Sequence, residues 1–240
     1  MIEIRDLTVR FGGVTSLDDM TLDLGPGTNG LIGPNGAGKT TFFNVLSGFV
    51  RPYSGTVTAF GDDIFGLAPF KRVRWGVRRT FQTEQAIGNL SVYENVLLVA
   101  ENCGSRSSTM RDDVIGAIEF VGLGPKIRHI VDTLGAAERR LVEVARAVVG
   151  TPRLVLLDEP AAGLPEEETG GLAEVIREIP ARTGALVILV DHDMDLVSAT
   201  CDTVAVLDFG RVIAAGPTRE SLADPKVVKA YLGDDESVEL

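Results

Sequence analysis

Gly33-Pro34-Asn35-Gly36-Ala37-Gly38-Lys39-Thr40 fits the pattern G-x-x-x-x-G-K-[ST]. In such a loop glycines take φ values other residues resist, so backbone N–H groups converge on phosphate oxygens. Lys39 adds a positive charge for the β- and γ-phosphates, and Thr40 offers a hydroxyl to Mg²⁺. A second set lies far downstream. The apolar run Leu154–Leu157 leads into Asp158-Glu159-Pro160. A buried strand there delivers two carboxylates at its C-terminal end, where ligands of α/β sheets bind. Asp158 suits Mg²⁺, directly or through water. Glu159 suits a water poised for in-line attack on a γ-phosphate. The predicted chemistry is hydrolysis of a nucleoside triphosphate with Mg²⁺.

The elements that position these residues follow from pattern. Gly30-Leu31-Ile32 reads as the end of a buried strand before the loop, and Thr41–Leu46 as a helix that stops near Ser47-Gly48 and whose N-terminus favours an anion. Ile2–Ile4, Leu7–Phe11, Leu22–Leu24 and Thr56–Phe60 alternate as strands, with Gly12-Gly13 as a turn. Past Gln82 the pattern turns helical. Ser91-Val92-Tyr93-Glu94 is a capping box, Asn102–Ser108 a polar break, Arg111–Val121 a second helix, and Leu141–Val149 a third that Gly150-Thr151-Pro152 ends. Leu154–Leu157 and Ala185–Val190 have the length of buried parallel strands, with a helix expected over Glu166–Ile179 between them. Asp208-Phe209-Gly210 reads as a hairpin turn between Thr203–Leu207 and Arg211–Ala214; nothing around it resembles a kinase catalytic loop. The expectation is an α/β P-loop core interrupted by a helical insert from about Thr83 to Gly150. The acidic tail at Asp234-Asp235-Glu236 is expected to fray.

Composition narrows the function. The formal net charge is −11, which argues against a surface that wraps nucleic acid. Cys103 and Cys201 stand far apart in no metal spacing and are expected as reduced thiols of a cytosolic protein. The N-terminus lacks a signal-peptide core, and no apolar run approaches the ~20 residues of a membrane helix.

With both motifs in this order, the chain resembles the nucleotide-binding ATPase subunit of an ABC transporter. The resemblance covers essentially the whole chain. It implies a P-loop NTPase (RecA-like) core with an antiparallel β subdomain, spread over 1–82 and 151–215, a helical subdomain over 83–150 and a C-terminal extension over 216–240. By the same resemblance, His192 after Val190-Asp191 is the switch histidine that contacts the γ-phosphate and attacking water. Gln82, in Arg79-Thr80-Phe81-Gln82, senses Mg²⁺ and links core to insert; Phe11 stacks on adenine. Asn35, Ala37 and Thr41 belong to the nucleotide cradle. The family works as a head-to-tail dimer on the cytoplasmic face of the membrane, held there by transmembrane permease subunits and served indirectly by a substrate-binding protein.

Two segments depart from the family pattern. The signature loop, usually Leu-Ser-Gly-Gly-Gln, is here Leu134-Gly135-Ala136-Ala137-Glu138. Gly135 lacks the hydroxyl that would donate to the opposite subunit's γ-phosphate, a loss of about 1.5–3 kcal/mol. Ala136 and Ala137 add β-carbons at a close approach, and Glu138 adds negative charge. Further on, Ala161-Ala162-Gly163-Leu164 leads to Pro165 where the family usually has Asp or Asn. Both departures face the other subunit, so the expected partner is a different ATPase subunit, giving two unequal sites. The rival readings are a weakly hydrolysing nucleotide-binding half and a soluble ABC protein of translation or DNA repair, many of which carry paired halves or coiled-coil inserts that this chain lacks. Arg10–Gly13, Arg79–Gln82, Ala161–Leu164, Asp191–Met194 and Ala230–Gly233 together resemble ATPases for branched-chain amino acid uptake. Urea or amide importers and an ATPase for lipopolysaccharide export have similar motifs.

Overall fold

The structure is a computed structural model that describes residues 1–103 and 108–232. Two sheets organise it. The first is antiparallel, in the order β2-β1-β4-β5, from β1 (Ile2–Phe11), β2 (Val14–Leu24), β4 (Ser54–Ala59) and β5 (Asp62–Asp63). The second has six strands in the order β10-β9-β3-β8-β7-β6, from β3 (Thr28–Ile32), β6 (Val77–Arg79), β7 (Leu154–Asp158), β8 (Leu186–Val190), β9 (Thr203–Asp208) and β10 (Arg211–Pro217). Within it β6, β7, β8, β3 and β9 run parallel, and β10 pairs antiparallel with β9.

The central strands are buried at every position. Side chains alternate across a strand, so each strand feeds two cores. Leu154, Leu156, Leu186 and Ile188 pack with β1, β2, β4 and the helix α1 (Lys39–Ser47). Val155, Leu157, Val187 and Leu189 point the other way. They meet α3 (Val92–Asn102), α4 (Met110–Phe120), α5 (Ala136–Val148), α6 (Glu166–Thr183) and α7 (Met194–Thr200). An unbroken apolar run is what two buried faces require.

Several expectations need correction. The two early strands are one, β1, irregular where Asp6 takes φ +51° and its amide bonds Thr21 Oγ1 at 3.1 Å. The helix expected to end at Ile179 runs through Pro180 to Thr183, ended by Gly184 at φ +73°. Pro180 sits in the last turn, so it removes one N–H but leaves only one further turn to hold. The third helix begins at Ala136, not Leu141, so the signature residues form its first turn. α2 (Pro69–Trp75), α7, α8 (Thr218–Leu222), α9 (Pro225–Leu232) and β6 had no place in the sequence reading. The capping box at Ser91 is complete: Glu94 N–H donates to Ser91 Oγ at 3.2 Å and Ser91 N–H to Glu94 Oε2 at 2.8 Å. The Asp208–Arg211 hairpin turns on Phe209 at φ +43° and Gly210 at φ +79°, as a two-residue loop of that hand requires. Most of the break at 102–108 and all of the acidic tail lie outside the described residues.

Candidate nucleotide site

Parallel strands share a direction, so their C-terminal ends meet at one edge of the sheet. β3 leads there into Gly33, β7 into Glu159, β8 into Asp191 and His192, and β6 into the segment ending at Gln82. Residues up to 159 positions apart, from Gly33 to His192, are thereby delivered to one edge.

The loop is built against its neighbours. Gly33 takes φ +147°, and a β-carbon there would stand 2.1 Å from the Leu207 carbonyl oxygen. Gly38 takes φ +107°, and a β-carbon would come 2.6 Å from the Ser16 carbonyl oxygen. The rest of the cradle is pinned by Ala37: its N–H donates to Pro34 O at 3.2 Å and its carbonyl accepts from Gly210 N–H at 3.0 Å. Asn35, Gly36 and Thr40 face solvent. Thr41 Oγ1 lies 2.7 Å from Ser16 Oγ, tying α1 to β2.

Lys39 bends back over the loop and donates to Gly33 O at 2.6 Å and Pro34 O at 3.0 Å. Burial lowers the pKa of its ammonium, opposed by the charges of Glu159 and Asp158. Those two carboxylates are therefore close enough to act on Lys39. Glu159 adopts φ +48°, an unusual value for a non-glycine, and its N–H donates to Val190 O at 2.7 Å. Gln82 Nε2 donates to Glu159 Oε2 at 2.8 Å. That bond occupies one carboxylate oxygen and leaves Oε1 for a water. Asp158 is 5% exposed, with Arg79 Nη2 2.8 Å from its Oδ2.

Phe11 ends β1 half-exposed beside the Gly12 turn, an open ring face suited to stacking. The His192 side chain is 74% exposed, with Nδ1 3.6 Å from Asp191 Oδ1. Asp191 is buried and takes amide bonds from His192 at 2.8 Å, Asp193 at 3.0 Å and Ala161 at 3.4 Å, so it fastens the histidine loop to the Ala161–Leu164 segment. Leu134 is buried, while Gly135 and Ala136 are exposed and Ala137 partly so. Glu138 covers the start of α5: its Oε2 lies 3.3 Å from Gly135 N, and its Oε1 pairs with Lys126. The Lys126 bond, opposed by burial and aided by the Gly135 amide, holds its carboxyl below the ordinary range. Pro165 caps α6 with no side-chain hydrogen bond.

Sequence reasoning missed a set of buried ions. Arg140 Nη2 donates to the carbonyls of Gln82 and Ala162, both at 3.2 Å, and its Nη1 pairs with Glu143 at 3.2 Å. Glu143 Oε1 accepts from Gln85 N–H at 2.5 Å, while burial raises the pKa of its carboxyl. The available signal was a charge pair at i, i+3 on the apolar face of α5. The Gly33 N–H also donates to the Tyr231 hydroxyl of α9.

The residues suit a magnesium nucleotide. Thr40 and Asp158 supply hard oxygen donors, and Mg²⁺ commonly takes one or two carboxylates with phosphate oxygens and water. Among the described residues no group of three His, Cys, Asp or Glu side chains could hold a metal alone.

A family model described as ABC transporter matches residues 17–162. The chain belongs to the ABC transporter family. It is 35% identical to the high-affinity branched-chain amino acid transport ATP-binding protein BraF of Pseudomonas aeruginosa, over 98% of each chain. It is 32% identical to a probable branched-chain amino acid transport ATP-binding protein of Archaeoglobus fulgidus, over 99% of this chain and 97% of that one. A crystal structure of the ADP conformation of an ATP-binding cassette of an ABC transporter matches with TM-score 0.85 and 28% identity, covering 98% and 99% of the two chains. This ABC ATPase therefore binds nucleotide, and its hydrolysis is coupled to transport. No described helix is long and apolar enough to cross a membrane.

Proposed function

We propose that this ABC ATPase drives an importer for branched-chain or related hydrophobic amino acids, hydrolysing ATP at the Lys39–Glu159 site. The near-full-length likeness to BraF carries the cargo assignment; the ATPase itself touches no cargo. The loop amides and Lys39 bind the phosphates. Glu159, held by Gln82 on Oε2, orients a water with Oε1 and takes its proton as the water attacks the γ-phosphorus, whose bond to the bridging oxygen breaks to release ADP and phosphate. Thr40 and Asp158 hold Mg²⁺, which when bound neutralises charge on the phosphates. Phe11 stacks on the adenine, and His192 swings onto the γ-phosphate when a second subunit closes over it.

The helical unit over 83–150 and the core flank a cleft of about 350 Å³ beside Gln82, lined by Phe49, Phe70, Val73, Phe81, Val99 and Ala147 among others. Phe49 and Phe70 are 63% and 61% exposed. An apolar cleft with exposed aromatic walls suits a short helix of a permease subunit on the cytoplasmic face of the membrane. Closure around ATP then pulls on the permease, and hydrolysis releases it.

The second ATPase subunit is a different chain. The observation behind this is Glu138, whose carboxylate takes the α5 N-terminus that would otherwise meet the opposite γ-phosphate. The site completed by this signature loop is the weaker of two. Reconstitution with permease subunits and a second ATPase subunit tests both claims. ATP-dependent uptake of leucine or valine is expected; uptake of urea alone would reassign the cargo. Gly135→Ser with Glu138→Gln should raise the assembly's turnover, and an unchanged rate would remove the asymmetry.

A further inference from the structure

Arg79 ends β6 on the site edge, and its side chain is 7% exposed, as is that of Asp158. Its guanidinium works in two directions. Nη2 holds Asp158 Oδ2 at 2.8 Å, and Nη1 reaches α1, donating to Asn44 Oδ1 at 2.7 Å and Ser47 Oγ at 3.4 Å. The charge also lies 5.5 Å from the ring centre of buried Phe43 and 4.8 Å from that of Phe81. Nε has no acceptor among the described residues, so the group forgoes one bond to keep the other two directions.

α1 carries Thr40 at its first turn, and Asn44 lies one turn further on. β7 carries Asp158. The two oxygens expected to serve Mg²⁺ thus sit on separate elements, and one planar cation braces those elements together. We propose that Arg79 is a positioning residue for magnesium: it fixes the Asp158 carboxylate by one oxygen, sets its separation from the Thr40 helix, and leaves Oδ1 to the metal or its water. Arginine suits this because its donors are spread over a rigid planar fork that spans both elements, whereas a lysine's donors all sit on one compact nitrogen. A buried carboxylate that must wait for a dication also needs a resident counter-charge, which Arg79 supplies without entering the ion's place. The same side chain lines the cleft beside Phe81. The inference rests on Asp158 as the metal carboxylate, and the experiment separates the two claims.

Retention of N-methylanthraniloyl-ATP by the full chain is measured across a Mg²⁺ titration and in EDTA, with thermal unfolding in parallel. Wild type is compared with Arg79→Lys, Arg79→Met, Asn44→Ala and Asp158→Asn. Arg79→Lys should raise the Mg²⁺ concentration for half-maximal retention about tenfold, the size expected when one hydrogen bond to a charged group is lost. Retention in EDTA should change less than about twofold. Asn44→Ala, which frees only the α1 side, should shift the titration in the same direction by less, and it carries the test if both arginine variants fail to fold. Equal losses with and without Mg²⁺ would make Arg79 merely structural and overturn the proposal. A shift from Asp158→Asn with none from Arg79→Lys or Asn44→Ala would also overturn it. No shift from Asp158→Asn would overturn the magnesium role of that carboxylate, and the proposal with it.

Discussion

The smallest features of the site are the most constrained. Gly33 cannot accept a β-carbon without displacing the Leu207 carbonyl, and its φ of +147° is one that side-chain-bearing residues rarely adopt. Gly33→Ala is expected to destabilise the chain by more than about 1 kcal/mol and to abolish nucleotide retention, as read by urea unfolding and analogue binding. The two thiols make the opposite kind of case. Burial pushes Cys201 up to about 12 and raises Cys103 as well. At pH 8 the thiolate fraction of Cys201 falls roughly a thousandfold below that of an ordinary thiol. Native protein should therefore react with a disulfide reagent slowly and the urea-unfolded chain at once; equal rates would contradict the burial. The P-loop, Asp158 and Glu159 were legible because their chemistry fixes residue type and local spacing together. Arg79 and Arg140 were not, because their meaning lies in partners across the fold: Arg79 and Asp158 are 79 positions apart, and Arg140 and Gln82 are 58.

Among the elements, legibility followed local signals. The α3 start was readable because Ser91 and Glu94 satisfy each other's amides within four residues. Ser91→Ala should lower stability by about 0.5–2 kcal/mol, measured as a fall in the unfolding midpoint with nucleotide binding unchanged. β7 and β8 were readable from their unbroken apolar runs. β6 was hidden because two of its three residues, Arg78 and Arg79, are charged, and only burial of both guanidinium groups makes the segment a strand. α2 was hidden for a related reason. Arg72 is 6% exposed, spending its donors on the carbonyls of Leu67, Val45 and Leu46. α6 outran its expected end because a proline in a last turn costs less than one in a helix interior.

For the whole molecule, the sheet gathers the site while α5 links it to the rest. Arg140 bonds Gln82 and Ala162, Glu143 bonds the Gln85 amide, and Arg146 donates to the Gln85 carbonyl at 2.5 Å. The helix that begins with the signature residues thus grips the loop whose Gln82 holds Glu159. A push at the cleft should travel this way because the network is continuous and anchored on the buried Arg140–Glu143 pair. Phe49→Asp should abolish co-purification with the membrane subunits while leaving nucleotide retention intact; loss of both would place Phe49 in the fold and not in the docking surface. The central claim is that Glu159 makes the water attack. The most direct measurement is a single-turnover count of ADP formed from bound ATP by the assembled transporter carrying Glu159→Gln. The account predicts ATP retained and its conversion slowed at least about a hundredfold. Conversion at the wild-type rate, with ATP bound at the Lys39 loop, would contradict it.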